Sequence, residues 1–387
     1  MNRNVFLLSG SMALGMSSAP VIVLLGGIVG VALAPTPALS TLPVAMLVVG
    51  VALFTVPAAL IMRITGRRPG FMAASLLASL ACIMGIYAIY AQSFFLFCTV
   101  AFFVGGNLAF VQQYRFAAAE SVEPDMVSKA VSIVLLGGIV AAFLGVELAK
   151  LSREMLPFGL YSGSFASLAV LNFANCCLLY FLTAPQIREE RYTGSERPLR
   201  EVIRQPAYMT AVMAALVAYG VMSFIMTATP VSMHVIDDFS IDATAWVIQS
   251  HVMAMFIPSL FTGFLISRYG LAKVMLWGIT LMTVCVALAL ADRHFVHYWA
   301  GLVLLGVGWN FLFIGGTTLL TRCYSPAERF KAQAVNDFTV FGFQALASLS
   351  AGTVIFMAGW EVLNGLNLPL LMIMFGVIWK LRDQIDG

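Results

Sequence analysis

Long apolar runs separated by short polar turns make up most of this chain. Twelve stretches approach or exceed the roughly 20 apolar residues that span a bilayer; they lie at 4–32, 42–62, 70–90, 93–114, 128–149, 159–182, 207–229, 243–266, 271–291, 297–320, 332–356 and 360–379. We therefore predict an all-α membrane protein with twelve transmembrane helices. The longest polar segment separates six of them from the other six, which predicts a six-helix bundle at 1–184, a cytoplasmic linker at 185–206 and a second six-helix bundle at 207–387.

Composition and charge placement support this interpretation. The chain is 61% hydrophobic and only 10% charged, whereas soluble domains carry about 25% charged residues. With the N-terminus inside, all 21 Lys and Arg residues except Lys150, Arg153 and Arg293 fall on the cytoplasmic side, which predicts cytoplasmic N- and C-termini. The sequence has no nucleotide-binding Gly-Lys-Thr loop and no Ser-His-Asp set. We therefore predict neither an enzyme nor a nucleic-acid-binding protein.

The two halves repeat each other. Gly66 aligns with Gly270 between the second and third helices of each half, and Asn107 aligns with Asn310 on the fourth helices. Two parallel six-helix repeats are a layout of membrane transporters, and the whole chain resembles the major facilitator superfamily. Its stretch Thr65-Gly66-Arg67-Arg68 matches the end of that family's loop motif. The resemblance implies the major facilitator fold with a substrate site near the bilayer midplane.

Two consecutive predicted helices carry pairs of soft metal ligands. Met222 and Met226 lie one turn apart on the seventh helix, and His251 and Met255 on the eighth; such pairs share one helix face. Thioether and imidazole together suit Cu(I), and histidine inside a membrane segment is usually functional. We expect the two antiparallel helices to be neighbours, with Met222 level with His251. Alternatively, the methionines fill packing gaps and the histidine binds a neighbouring helix.

Other polar and aromatic residues extend this candidate pathway. Tyr219 precedes the methionine pair by one turn, and Met233 with His234 could form a capture mouth in the outer loop. Pro258 follows the His-Met pair and should kink the eighth helix. Three further pathway candidates are Asn107, Asn310 and Trp309, for which the alternative roles are hydrogen bonding between helices and packing.

The ligand pattern resembles one transporter family in particular. A Met-x-x-x-Met followed by a His-x-x-x-Met on the next helix is similar to the CcoA-type copper importers, which supply copper for assembly of cbb3-type cytochrome oxidase. The resemblance implies Cu(I) import across the bacterial inner membrane, with Met222, Met226, His251 and Met255 as ligands. Copper is then the transported substrate, and no prosthetic group is expected. The expected partners are the copper ion, the lipid bilayer and, as a candidate, a cytoplasmic copper chaperone, and we expect a monomer.

Two other functions stay open at this point. Relatives that lack the ligands resemble riboflavin transporters, so the chain is alternatively an organic-solute transporter. Its cavity would use Trp309, Asn310, Gln112 and Tyr219 for stacking and hydrogen bonds, with His251 as a donor. The third function is a copper receptor or oxidase-assembly partner that transports nothing. The duplicated twelve-helix layout argues against this function, because a receptor needs no alternating access.

Overall fold

The computed structural model describes residues 2–119, 121–122, 127–183, 197–325 and 328–386, and within these ranges the only regular structure is helical. The α-helices are α1 (Arg3–Met16), α2 (Ser18–Leu33), α3 (Leu42–Thr65), α4 (Arg67–Tyr90), α5 (Phe94–Val111), α6 (Tyr114–Ala119), α7 (Val127–Ser152), α8 (Ser162–Tyr180), α9 (Leu199–Ile203), α10 (Pro206–Pro230), α11 (Ile241–Phe256), α12 (Ser259–Tyr269), α13 (Leu271–Ala291), α14 (Phe295–Thr321), α15 (Arg329–Gly365) and α16 (Leu368–Asp386). A 3-10 turn at Pro37–Leu39 and a π-helical turn at Val231–Ile236 connect two of the helix pairs.

The helices are long and apolar enough for a multi-pass membrane protein. Ten continuous helical stretches of the described chain qualify as spans, and α11 with α12 forms one more candidate. One of the ten, Lys331–Asp386, has 56 residues and would be about 84 Å long if straight, far beyond the hydrocarbon core of about 30 Å. Gly359 breaks it with a φ of 83°. The count of twelve spans and the cytoplasmic side of the termini stay predictions.

The contacts divide the chain into two compact units, here called the N-terminal unit (Met1–Glu189) and the C-terminal unit (Glu190–Gly387). Of the predicted linker at 185–206, residues 185–196 lie outside the described ranges. The remainder packs on the C-terminal unit: Arg197 forms an ion pair of 2.8 Å with Glu328, and its backbone N–H donates to the same carboxylate. This end of the linker is therefore held in place and is not a freely solvated segment.

The same turn occurs at equivalent places in both units. Gly66 ends α3 and precedes α4 with φ 89° and ψ 161°. Gly270 ends α12 and precedes α13 with φ 93° and ψ 154°. Only glycine adopts this backbone region readily. The matching conformations at the aligned glycines confirm the predicted repeat.

The predicted kink at Pro258 is confirmed, because α11 and α12 meet there at 45°. Asn310 of α14 holds the bend. Its Nδ2 donates to the Met255 carbonyl at 2.7 Å and to Ser259 Oγ at 2.6 Å, while its Oδ1 accepts from Thr262 Oγ1 at 2.7 Å. Proline lacks the N–H that would bond the carbonyl four residues earlier, that of Ala254, and the Asn310 side chain bonds the adjacent Met255 carbonyl at the break.

Candidate functional site

Helix α14 lies between the two helices that carry the predicted ligands. Helix α10 packs on α14 and α15, and α11 packs on α14, whereas direct packing between α10 and α11 is slight. This corrects the expectation that the seventh and eighth helices are packed neighbours. The two ligand pairs share the surroundings of α14, which therefore sets their relative depth.

His251 is fully buried and oriented by a backbone carbonyl. Its Nδ1 lies 2.7 Å from the Leu302 carbonyl oxygen of α14. Because a carbonyl only accepts, Nδ1 carries the proton and Nε2 of the neutral ring has a lone pair. Nε2 is buried and has no hydrogen-bond partner among the residues that the structure describes. Imidazoles that bind metals are commonly oriented in this way by the second nitrogen, so His251 fits the role of a soft-metal ligand.

The methionine ligands are arranged around the same part of α14. Met222 and Met226 are 5% and 7% exposed and lie on the side of α10 that also carries Tyr219. The Met222 sulfur is 3.9 Å from Ser223 Oγ. Met255 is half-buried, and its backbone carbonyl accepts a hydrogen bond from the Asn310 side chain of α14. Three of the four predicted ligands are therefore buried, and the fourth is partly accessible.

Contacts with α14 give the register of the two pairs. Ile225, the residue before Met226, lines the same cavity as Leu302. The Leu302 carbonyl accepts a hydrogen bond from the His251 ring. Met226 therefore lies closer to the level of His251 than Met222 does. The expected pairing of Met222 with His251 differs from this contact by one helical turn, about 6 Å.

Four aromatic rings, here called the aromatic cluster, lie beside the methionine pair: Tyr219, Trp309, Phe313 and Phe341. Trp309 stacks on Phe313 with ring centres 4.9 Å apart and 19° between the planes. Tyr219 meets Trp309 edge-on at 5.1 Å and Phe341 at 5.5 Å. Trp309 is 5% exposed, and the other three rings are half-buried. The cluster forms a partly open aromatic surface from α10, α14 and α15.

Two polar features adjoin the aromatic cluster. The indole Nε1 of Trp309 is buried, and nothing in the described part of the chain accepts its hydrogen. The side chain of Gln344 donates to Ser223 Oγ at 2.7 Å, between α15 and α10. A buried donor without an acceptor is unfavourable, and a ligand with a carbonyl or ring nitrogen would satisfy it. The surface can therefore combine stacking with at least one directed hydrogen bond.

Three members of this site were not predicted from the sequence. Phe313 follows Trp309 by one helical turn, so the spacing could have revealed it. Phe341 has no such signal among 29 phenylalanines, and it reaches Tyr219 only through the packing of α15 on α10. Gln344 is polar but lies far along the chain from the other members.

The predicted capture mouth in the outer loop has a different structure. Met233 has no exposed surface, so its sulfur is not presented to an incoming ion. His234 uses Nδ1 to contact the Phe239 carbonyl at 2.7 Å, which closes the turn before α11. Asp237 pairs with Arg293 at 2.8 Å. These interactions hold the turn together, and they correct the expectation for Met233.

Asn107 and Asn310 join helices, but they do so with different partners. Asn107 Nδ2 donates to Asn172 Oδ1 at 3.2 Å, and Asn172 donates in turn to Ser18 Oγ at 3.0 Å, all within the N-terminal unit. Asn310 holds the bend after α11. The aligned amides therefore have structural contacts, which agrees with the helix-joining interpretation for both.

Comparisons with known proteins agree with this architecture. Residues 212–386 match the model of the Major Facilitator Superfamily. The riboflavin transporter RfnT of Brucella anthropi is 41% identical over 385 residues, covering 99% of this chain and 96% of the relative. YddS of Bacillus subtilis, described as an uncharacterised transporter of the same type, is 27% identical over 82% of this chain and 77% of its own length.

Solved structures show the same fold at low sequence identity. An alanine mutant of the nucleoside transporter NupG superimposes with a TM-score of 0.73 at 14% identity, covering 98% of this chain and 99% of the transporter. A bacterial homologue of the human lysosomal transporter Spinster gives 0.73 at 14% identity, with 99% and 97% covered. At this level of identity, the similarity establishes the fold only. The transported substrate has to be inferred from the residues of the site.

Proposed function

This chain belongs to the major facilitator superfamily, and we propose that it carries a planar aromatic solute of the riboflavin type across the bacterial inner membrane. It is a multi-pass membrane transporter and not an enzyme. The single observation that supports this cargo best is the aromatic cluster, in which Trp309 and Phe313 are stacked and Tyr219 meets them edge-on. The 41% identity to a protein named as a riboflavin transporter adds to it.

The chemistry of a flavin suits the cluster. Its fused rings offer a flat face for stacking, and base-like rings stacked on aromatic side chains gain about 1–3 kcal/mol each. Its ring carbonyls and nitrogens are acceptors for the unpaired indole N–H of Trp309. Because the rings of Tyr219, Phe313 and Phe341 are half-buried rather than fully enclosed, a flat ligand could reach them with limited rearrangement.

Uptake of riboflavin into proteoliposomes tests this proposal. We expect Trp309→Ala to lower the apparent affinity for riboflavin by about 10-fold or more, since 1.4 kcal/mol of lost stacking is a factor of ten. The matched control is Trp379→Ala on α16, which removes an indole that also stacks on a phenylalanine, Phe375, at 6.2 Å but is 54% exposed.

The control variant should retain uptake at equal expression. If the wild-type protein took up no riboflavin, or if both tryptophan variants were equally impaired, the aromatic cluster would not be a flavin site.

We also propose Cu(I) import as a second candidate function, because one specific observation favours it. His251 Nε2 is a buried lone pair with no partner among the described residues, and Met226 and Met222 are buried on α10, which packs on the same helix α14 as α11 does. Neutral thioether and imidazole ligands suit Cu(I). In this function the imported copper would support assembly of cbb3-type cytochrome oxidase, and the ion would enter through the outer end of the C-terminal unit.

Copper uptake separates the two candidates. Met222→Leu keeps the approximate volume of the side chain and removes its sulfur. The matched control is Met282→Leu on α13, which changes another buried methionine in the same way. We expect Met222→Leu to lower copper uptake several-fold and to leave riboflavin uptake unchanged, with the opposite result for Trp309→Ala. Equal copper uptake in Met222→Leu, Met282→Leu and wild type would exclude the copper function. Copper bound without flux would support the receptor alternative.

A further inference from the structure

A second group of soft ligands lies in a cavity of the C-terminal unit that the proposed functions do not use. The cavity is small, with a volume of about 10 Å³ for the centre of a water-sized sphere, and Cys285, His297 and Asn364 are among its lining residues. It is formed by the outer ends of α13 and α14 together with the last turns of α15. We propose that Cys285 and His297 bind a monovalent soft metal ion, Cu(I) or Ag(I), in this cavity.

The thiol and the imidazole lie close to one face of α14. The Cys285 sulfur is 3.7 Å from the position that a Cβ on Gly301 would occupy, so the glycine leaves room for sulfur against the helix. His297 precedes Gly301 by one turn and therefore lies on the same helix face, about 6 Å away at Cβ. Both side chains line one cavity, with Cys285 only 1% exposed.

Two buried polar atoms in the cavity lack partners. His297 Nδ1 is buried and has no hydrogen-bond partner in the described ranges. Asn364 has no exposed surface; its Nδ2 donates to the Trp360 carbonyl, and its Oδ1 is left unpaired by every described residue. Native structures leave few such atoms. A metal ion bound to His297, with Asn364 as a weaker oxygen contact, would satisfy both.

The ligand set selects the type of ion. No three His, Cys, Asp or Glu side chains of the described chain come together as a metal site, which excludes the closed tetrahedral site that structural zinc needs. One thiolate and one imidazole are instead sufficient for Cu(I) or Ag(I), which accept two ligands in a line. Soft sulfur favours these ions.

Charge balance also favours a monovalent ion. Binding forms one metal–sulfur and one metal–nitrogen bond and releases the Cys285 proton to water. The product contains one positive ion, one thiolate and one neutral imidazole, so no net charge is buried. Charges without a partner are costly at membrane depth. A divalent ion on the same two ligands would carry one positive charge more than the thiolate neutralises, and the one acid among the lining residues, Asp292, is 46% exposed and pairs with His294.

This cavity adjoins His251 but is distinct from it. Leu302 lines the cavity, and its carbonyl accepts the His251 Nδ1–H at 2.7 Å. Leu302 therefore contacts both the cavity and the His251 ring. The proposed site does not depend on riboflavin or copper transport. Metal binding at this site can be measured whichever of the two solutes the protein transports.

Anaerobic titration of the purified full-length protein with Cu(I) against a coloured chelator tests the site, with Ag(I) as a redox-inert probe. We expect Cys285→Ala to lose one equivalent of bound metal per chain. The control Cys82→Ala, which removes an equally buried thiol from the N-terminal unit, should lose none. His251→Leu should retain the Cys285-dependent equivalent, which distinguishes this site from the proposed copper pathway.

A labelling experiment covers the case in which Cys285→Ala fails to fold. In the wild-type protein, Ag(I) should protect Cys285 from a membrane-permeant maleimide, and His297→Ala should abolish that protection. Unchanged metal content in a folded Cys285→Ala variant would overturn the proposal, as would equal protection in the wild type and His297→Ala.

Discussion

His251 of α11 and Leu47 of α3 occupy the same position in the internal repeat. Their separation along the chain equals that of the two turn glycines, Gly66 and Gly270. Both residues lie against a glycine of the fourth spanning helix of their unit: a Cβ added at Gly105 of α5 would meet the Leu47 carbonyl, and one added at Gly306 of α14 would meet that of His251, although these two glycines are not aligned with each other in the repeat. A buried apolar side chain therefore occupies this position in the N-terminal unit, and the C-terminal unit has instead a buried histidine whose Nε2 has no partner among the described residues.

The fourth helices show the same contrast. In the N-terminal unit Gly106 precedes Asn107, and a Cβ there would lie 3.1 Å from the ring of Phe54. In the C-terminal unit Trp309 precedes Asn310 and stacks on another ring. The aligned positions therefore hold a glycine that accommodates a neighbouring ring in one unit and an indole with an unpaired donor in the other. The two units share one helical arrangement, but the candidate ligand residues and the aromatic cluster all lie in the C-terminal unit.

The largest effect on stability is expected from adding a methyl group at the helix contact of the N-terminal unit. Gly105→Ala would drive a Cβ into the Leu47 carbonyl, which is backbone and cannot rotate away. We expect a loss of about 3 kcal/mol, the upper range for overpacking. Gly306→Ala should cost less, because its Cβ would lie 2.7 Å from the His251 carbonyl. Thermal unfolding of both variants measures the two losses of stability. Equal melting temperatures for Gly105→Ala and Gly306→Ala would contradict the expected difference.

The two aligned asparagines should differ in their contribution to stability. Asn310→Ala removes three hydrogen bonds and leaves the Met255 carbonyl at the break without its donor, so we expect a loss of about 2 kcal/mol. Asn107→Ala removes one hydrogen bond, to Asn172, and should cost about 1 kcal/mol. Denaturant titration compares them. A larger loss of stability for Asn107→Ala than for Asn310→Ala would show that the bend after α11 does not depend on the Asn310 side chain.

Replacing His251 by the residue of the other unit should separate function from packing. His251→Leu removes the donor to the Leu302 carbonyl but also removes a buried unpaired nitrogen, so we expect a net change of about 1 kcal/mol or less. Copper uptake should be lost, and riboflavin uptake should be retained. Full copper uptake in a stable His251→Leu protein would show that the histidine is not a ligand.

The smallest effect concerns the pH dependence of the ion pair between Arg197 and Glu328 in the C-terminal unit. The Arg197 guanidinium, aided by the Ser325 backbone N–H, holds the pKa of the Glu328 carboxyl well below its usual range. Its stabilisation is present above the unfolded pKa of about 4.3 and is lost as the pH falls from there towards the lower folded pKa. In the N-terminal unit, the contact of Thr183 with Asn4 at 2.8 Å joins two neutral side chains.

Melting temperatures between pH 6 and pH 3 test this difference. We expect acid to lower the stability of the wild-type protein and Glu328→Gln to reduce that dependence on pH, while Asn4→Ala should lower stability equally at all pH values. The same slope in wild type and Glu328→Gln would show that the ion pair contributes nothing.

Much of the architecture could be derived from the sequence because its causes are local. A helix that crosses lipid must be apolar along its whole length, so the spans are visible as runs, and the glycine turns at Gly66 and Gly270 reveal the repeat. Pro258 predicts a break because proline lacks a backbone donor, and the 45° bend is at that place. The soft-ligand pairs were visible because residues four apart share a helix face.

The arrangement of the site was decided by tertiary packing. Membrane helices that are apolar on every side carry no stripe that identifies their neighbours, so the position of α14 between α10 and α11 could not be read from periodicity. That position fixes the proton on His251 Nδ1 and brings Met226, rather than Met222, nearer to the level of His251. Phe341 joins the aromatic cluster only because α15 packs on α10. Such contacts join residues far apart in sequence, and only the folded chain brings them together.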